Sequence, residues 1–193
     1  GGKAALLGAL GIQRGASLIA NEAAAHRAQL VEGSLRPLPE GSYTVLTGDG
    51  REITSTLLTH ASELPGSIEP GQLFDRVMVD VPCSGLGALR RRPEARWRKS
   101  PRDIAELLPL QRQLLDAAIS VTRPGGVIAY VTCSPHAAET QNIVAEVLES
   151  GAVSLLDSAA ILREVALHTE GANGEPVSVL AGEKDPGHTP EIK

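Results

Sequence analysis

Aromatic residues are nearly missing: one Trp, one Phe and two Tyr in 193 residues. A core must therefore be built from Ala, Val, Leu and Ile, the material of helices laid on a parallel sheet. Cysteine is nearly missing too. Two cysteines make no disulfide framework, and neither a CxxC nor a paired Cys/His spacing offers a zinc site. No metal is expected, and a reducing, cytoplasmic compartment fits the chain. No apolar run approaches the roughly 20 residues that cross a bilayer, and the first residues lack the charged-then-apolar layout of a signal peptide. The reading is a soluble protein with no membrane partner. An excess of positive charge is absent as well: the net charge of −5 argues against nucleic acid gripped over the whole surface. The chain opens on Gly1-Gly2 instead of a methionine, which fits a chain processed, tagged or cut from something longer.

What is present points to one α/β domain over residues 1–181, with residues 182–193 a polar, proline-bearing tail that frays. Lys3 to Leu10 reads as a short apolar helix entered through Gly1-Gly2, glycines that let backbone amides approach a ligand. Ala16 to Ala20 reads as a strand ending at Asn21-Glu22, and Ala23 to Leu35 as a helix. Tyr43 to Thr47 is the next strand, closed by Gly48-Asp49-Gly50. Thr59 to Gln72 reads as a loop and Arg76 to Val81 as the central strand. Asp103 to Val121 follows as an amphipathic helix, opened by Ser100-Pro101 and closed by Pro124-Gly125-Gly126. Gly126 to Ala129 leads a further strand, and Ala138 to Leu148 is a helix. Val153 to Leu156 and Val177 to Ala181 are candidates for short late strands.

The chain is organised around two strand ends. Asp80-Val81-Pro82-Cys83-Ser84-Gly85 and Thr132-Cys133-Ser134-Pro135 deliver an acid and two thiols to the carboxyl edge of the sheet, where open α/β sheets do chemistry. A lone cysteine at a strand end is ordinarily a small buried residue. Two in matching positions suit a thiol-based reaction, although core packing stays open as the plainer account. Glu22 alone reads as a helix-start carboxylate and Asp49 as a turn acid. Together with Asp80 they would line one crevice with acids, suiting a ligand that offers hydroxyls, an amino group or an adenine edge. Arg90, Arg91, Arg92, Arg96, Arg98, Lys99 and Arg102 stand against a single acid, Glu94. This run reads as a solvated face or as a phosphate-binding surface, and Trp97 inside it adds a stacking plane.

The stretch DVPCSGLGALRRRPEARWRKSPRDIAELLPLQRQLLDAA, followed by PGGVIAYVTCSPHAAE, resembles the Sun (also called Fmu) family of S-adenosylmethionine-dependent RNA cytosine-carbon-5 methyltransferases, nearest to the bacterial ribosomal RNA small-subunit methyltransferase B type. The resemblance covers about residues 1 to 150. It implies a Rossmann-like sheet with helices on both faces, S-adenosyl-L-methionine as cofactor and RNA, ribosomal by the nearest type, as partner. It also implies that Gly1, Gly2 and Lys3 end the methyl-donor loop, that Glu22 holds the donor's ribose, and that Asp49 lies near its adenine. Asp80 would stand where donor and target base join, Cys133 would be the nucleophile, and Cys83 would assist product release. DNA cytosine methyltransferases use a Pro-Cys cysteine as nucleophile, so Cys83 stays a rival on local sequence. Arg90, Arg91, Arg92, Arg96, Trp97 and Arg98 would face the RNA.

The same resemblance carries one departure. The family's donor loop follows a strand that lies between the strand ending at Glu22 and the one ending at Asp80, and this sequence begins after it. A gap lined by unpaired backbone groups is expected there, closed by the flanking strands or by self-association. The family's upstream RNA-binding region is also missing, and its final hairpin is not recognisable after Val177. The 193 residues alone are therefore expected to be inactive. A non-catalytic RNA-binding or scaffold module using Arg90 to Arg102 is the alternative. A two-thiol redox protein fits poorly with cysteines on separate strands.

Overall fold

The computed structural model describes residues 1–65, 73–91, 93–98 and 100–167 of a chain that forms two compact units, Gly1–Val153 and Ser154–Lys193. In the first unit helices and strands alternate. Helix α1 (Gly2–Ile12) leads to β1 (Leu18–Glu22), α2 (Ala25–Leu35), β2 (Tyr43–Thr47) and the short α3 (Ile53–Thr59). Then come β3 (Phe74–Asp80), α4 (Pro101–Ser120), β4 (Thr122–Val131) and α5 (Gln141–Leu148). The start of α4 follows from local chemistry. Pro101 sits in its first turn, where a missing N–H costs nothing, and the Asp103 carboxylate accepts the Ser100 N–H at 2.7 Å. The core is aliphatic, as the scarcity of aromatics requires: Leu35 and Leu46 are sealed from solvent, with Leu115, Ala118, Ile143 and Val147 nearly so.

The strands are all parallel to their partners, but they make two sheets. β1 pairs with β2 in register from Leu18↔Tyr43 to Glu22↔Thr47, and β3 pairs with β4 from Arg76↔Val127 to Asp80↔Val131. β1 and β3 do not pair. Between them runs a cavity of about 510 Å³, lined by all five residues of β1 and by Phe74 and Arg76–Asp80 of β3. The gap expected from the sequence is therefore in the structure, and Met78 on β3 stays 39% exposed beside it. Leu114 and Ala118 of α4 and Leu7 of α1 close the cavity's other walls.

Two readings of the sequence need correction, and one helix is added. Residues 153–156 form no strand; a four-residue strand is held only by a neighbouring edge, and none among the described residues takes it up, so Leu155 and Leu156 stay exposed. Pro124-Gly125-Gly126 does not end a helix. The helix stops at Ser120, and these residues are carried inside β4 as a register irregularity opposite Phe74–Arg76, with Gly125 at φ +74°. Finally, α3 lies in a stretch to which the sequence assigned nothing.

In the second unit the described part is helix α6 (Ser158–Leu167), begun by Asp157, whose carboxylate accepts the Ala160 N–H at 2.9 Å. The late strand expected at Val177–Ala181 and the tail 182–193 lie outside the described residues. Among the described residues no helix is long and apolar enough to cross a membrane.

Candidate active site

Parallel pairing brings the carboxyl end of every strand out on the same side of its sheet, and the strand-end acids emerge there. Glu22 closes β1, only 17% exposed in its side chain, with Arg27 Nη2 at 3.2 Å and the Ala24 N–H at 3.3 Å. Asp49 follows β2 and is gripped by Arg51, whose backbone N–H reaches Oδ1 at 2.9 Å and whose Nε reaches both carboxylate oxygens at 3.0 Å. Those hydrogen bonds from Arg51 hold the Asp49 carboxyl down at about 2. Asp80 closes β3 and meets Lys3 Nζ at 2.7 Å, both side chains being half exposed.

Of the residues expected around a methyl donor, Gly1, Gly2, Lys3, Glu22 and Asp80 all line the one cavity. Asp49 is not in its lining, although Gly50 beside it is. Gly1 also has a packing reason to be glycine, since a Cβ there would stand 2.0 Å from Ser34 Oγ on α2. The sequence reading passed over Asn21. Its Nδ2 donates to the Gly48 carbonyl at 2.9 Å, while its buried Oδ1 has no hydrogen-bond partner and belongs to a residue that lines the cavity.

The thiols are set apart from that cavity but next to each other. Cys83 lies just past β3 and Cys133 just past β4, and their Sγ atoms are 3.0 Å apart. The ladder between the two strands runs on to the Val81 N–H and Val131 carbonyl at 3.0 Å, so pairing of β3 with β4 carries the cysteines together. Beyond Cys83 the chain turns through Gly85 at φ +72° and comes back, so that the Gly87 N–H donates to the Cys133 carbonyl at 2.8 Å. A Cβ on Gly87 would be 2.5 Å from that oxygen, so only glycine allows the approach.

Electrostatics divides the pair. Burial pushes the Cys83 thiol up, but hydrogen bonds from Thr132, from the Cys133 thiol and from the backbone outweigh it and leave Cys83 below the ordinary thiol range. Cys133 is pushed up by donating to Cys83, by burial and by the Cys83 charge. The two thiols thus share one proton contact and are driven in opposite directions, Cys83 down and Cys133 up.

Under the thiols lies a buried polar network that sequence reasoning missed. The Glu139 carboxylate is sealed from solvent. It accepts the Ser84 N–H at 2.8 Å, the Ser84 hydroxyl, and Gln111 Nε2 at 3.0 Å. Burial raises its pKa, and the hydrogen bonds from Ser134, Ser84 and Gln111 more than reverse this, leaving it lowered and ionised. Tyr130 is pushed up to about 12 by burial and by the Glu139 charge. Its hydroxyl donates toward the Glu139 carbonyl at 3.1 Å.

The basic stretch is partly in view. Arg90 and Arg91 are exposed, and Trp97 is 84% exposed in the 3-10 turn Pro93–Arg98. Arg96 and Arg98 belong to that turn by their backbone, while Arg92 lies outside the described residues.

A family model described as 16S rRNA methyltransferase RsmB/F matches residues 1–177. Rv1407 of Mycobacterium tuberculosis (strain ATCC 25618 / H37Rv), named as a candidate methyltransferase, is 50% identical over 165 residues, which is 86% of this chain and 32% of that protein. The ribosomal RNA small subunit methyltransferase B of Sodalis glossinidius is 35% identical over 147 residues, 76% of this chain and 31% of that protein. The chain thus spans about a third of the length of these curated relatives. Among solved structures, PH0851 aligns with a TM-score of 0.57 at 27% identity, over 69% of this chain and 28% of its own. NSun6 from Pyrococcus horikoshii with SFG aligns at 0.55 and 24% identity, over 70% and 31%, a likeness of fold.

Proposed function

The chain belongs to the 16S rRNA methyltransferase RsmB/F family, and from that premise we propose that the protein methylates carbon 5 of cytosine in RNA, ribosomal RNA by its relatives. The donor is S-adenosyl-L-methionine, and the reaction runs through a covalent bond from Cys133 Sγ to carbon 6 of the base. The observation that carries this reading is the 3.0 Å approach of two thiols from neighbouring strand ends, one of which, that of β3, ends in Asp80 at the edge of the cavity that Glu22 also lines. The cavity fits a donor of this kind. Its volume of about 510 Å³ lies within the roughly 300–1,000 Å³ usual for small-molecule sites. Glu22 and Asp80 offer acceptors for hydroxyls and an amino group, and Asn21 Oδ1 is a buried acceptor with no partner of its own. Lys3, Gly1 and Gly2 form the edge where the donor's charged end would lie. When bound, S-adenosyl-L-methionine supplies the methyl group that carbon 5 receives.

The residues of the chain handle the base and its protons. Cytosine carbon 5 is a poor nucleophile until a thiolate adds at carbon 6. Cys133 Sγ makes that bond, and its proton passes to the Cys83 thiolate 3.0 Å away. Asp80, once it leaves Lys3 and takes a proton from solvent, eases the addition by donating that proton to ring nitrogen 3. After methylation the carbon 5 proton leaves to solvent, the sulfur–carbon 6 bond breaks, and Cys83 returns the proton to Cys133, which is how the second thiol assists release. The base must leave its stack to reach these groups, and Arg90, Arg91 and Trp97 are the exposed groups available to hold the flanking strand.

Trapping on RNA containing 5-fluorocytosine tests this, since fluorine at carbon 5 blocks the final elimination. The chain alone and the chain fused behind the part of Rv1407 that precedes its matched region are incubated with RNA and donor. A covalent adduct is expected in the fusion, kept in Cys83→Ala and lost in Cys133→Ala; the chain alone, with β1 and β3 unpaired, traps little. No adduct in the fusion, or one that survives Cys133→Ala, sinks the reading. Exposed Arg90, Arg91 and Trp97 also favour a plain RNA-binding module, which would bind RNA equally in Cys133→Ala and ignore added donor.

A further inference from the structure

A carboxylate sealed inside a protein costs several kcal/mol in lost hydration, and an uncharged residue of similar volume ordinarily fills such a place at less cost. Glu139 is such a carboxylate, and Ser84 and Gln111, which donate to it, are neutral groups. Their placement is specific. Ser84, which donates to Glu139 through both its N–H and its hydroxyl, is the residue after Cys83. Gln111, fully buried on α4, donates to Glu139 at 3.0 Å and to the carbonyl of Pro82, the residue before Cys83, at 2.8 Å. Both flanks of Cys83 are thus tied to one carboxylate.

The other side of the grip is on the Cys133 strand and loop. Tyr130 on β4 donates to the Glu139 backbone carbonyl at 3.1 Å and lies 3.3 Å from Gln111 Oε1. Ser134, next to Cys133, has its Oγ 3.1 Å from Ser84 Oγ, and it also accepts the His136 N–H at 3.1 Å. A carboxylate is an acceptor at both oxygens, so it can satisfy two donors of Ser84 and one of Gln111 at once. An amide with its oxygen on the Ser84 N–H and Gln111 would turn its NH₂ to the Ser84 hydroxyl, which would have to give up donating and accept instead.

We propose that Glu139 is a positioning residue for the methyl-transfer reaction, gripping Ser84 directly and Pro82 through Gln111 so that Cys83 is held against Cys133. This rests on the reading that the two thiols act as a pair, and it adds the group that makes them one. Glu139 does not line the cavity, so its effect falls on the thiols and not on donor affinity.

The test is the rate of disulfide formation with diamide, which takes two electrons and two protons from the thiols, becomes the hydrazine and leaves one Sγ–Sγ bond. Peptide mapping identifies the Cys83–Cys133 product in the 193-residue chain. The wild type forms it fast and intramolecularly. Glu139→Gln is expected to slow it about tenfold or more, Glu139→Asp to recover part of the rate, and Ser84→Ala, which keeps the Ser84 N–H bond, to slow it by a smaller factor. In the fusion, Glu139→Gln slows adduct formation with donor affinity unchanged. A folded Glu139→Gln chain that oxidises at the wild-type rate overturns the proposal. Should that variant not fold, Ser84→Ala decides, and a wild-type rate there overturns it equally. The oxidation assay uses neither RNA nor donor, so its failure is separate from failure of the methylation reading.

Discussion

Cys83 Sγ and Cys133 Sγ stand 3.0 Å apart with 50 residues of chain between them. The contact is a product of sheet pairing: the β3–β4 ladder ends at Asp80↔Val131, and the cysteines follow shortly after it, Cys133 exposed and Cys83 partly buried. Neither thiol has properties that can be assigned without the other.

The pair should lose its protons in two steps. Cys83 is below the ordinary thiol range and Cys133 above it, so as pH rises Cys83 ionises first and Cys133 last. Alkylation by iodoacetamide, followed residue by residue by mass spectrometry, should give a midpoint for Cys83 below about 8.5 and for Cys133 above it. Cys83→Ala removes both the acceptor and the charge that hold the Cys133 proton. The Cys133 midpoint should then fall toward about 8.5; a midpoint that stays put would mean that the two thiols are not coupled.

Gly87→Ala puts a methyl group 2.5 Å from the Cys133 carbonyl oxygen, a backbone atom that cannot swing away. It also strains the Gly87 N–H bond to that oxygen. The expected cost is about 1–3 kcal/mol in urea unfolding, together with slower Cys83–Cys133 oxidation. Stability and oxidation both equal to wild type would show that the turn relaxes freely.

The facing edges of β1 and β3 should make the chain associate with itself, because unpaired parallel edges are templates for another strand. Sedimentation velocity over a concentration series should show a growing dimer or larger species. Met78→Lys, placing a charge where a half-exposed β3 side chain lines the gap, should suppress it. A monomer at every concentration would show that the edges are satisfied within one chain.

Much of this was legible in the sequence because it is local. β1 and β3 are runs that end in acids and β2 is followed by one, α4 announces itself by Ser100-Pro101 and Asp103, and the gap beside β1 is what the family resemblance implies. Residues whose structure depends on tertiary neighbours were not legible. The β-branched stretch Ile53–Thr59 has a weak helical pattern and becomes α3 through packing, and 153–156 has strand composition without an edge to join. Ser158–Leu167 was passed over, although Asp157 begins it. The Glu139 network joins residues 28 and 55 positions apart, and within the sequence Glu139 is one acid in a helix-like run. The partnerless Oδ1 of Asn21 is invisible without the fold around it.

The two acids at the cavity come already matched, Glu22 with Arg27 and Asp80 with Lys3. Occupying the cavity is therefore an exchange reaction. An incoming cation gains only what an internal ammonium or guanidinium gives up, and exposed ion pairs differ by no more than about 1 kcal/mol. Charge cancels on both sides of that exchange, so affinity should change little with ionic strength. Discrimination falls to what Lys3 and Arg27 cannot imitate: a pair of hydroxyls at fixed spacing, a flat ring, and a donor aimed at Asn21 Oδ1.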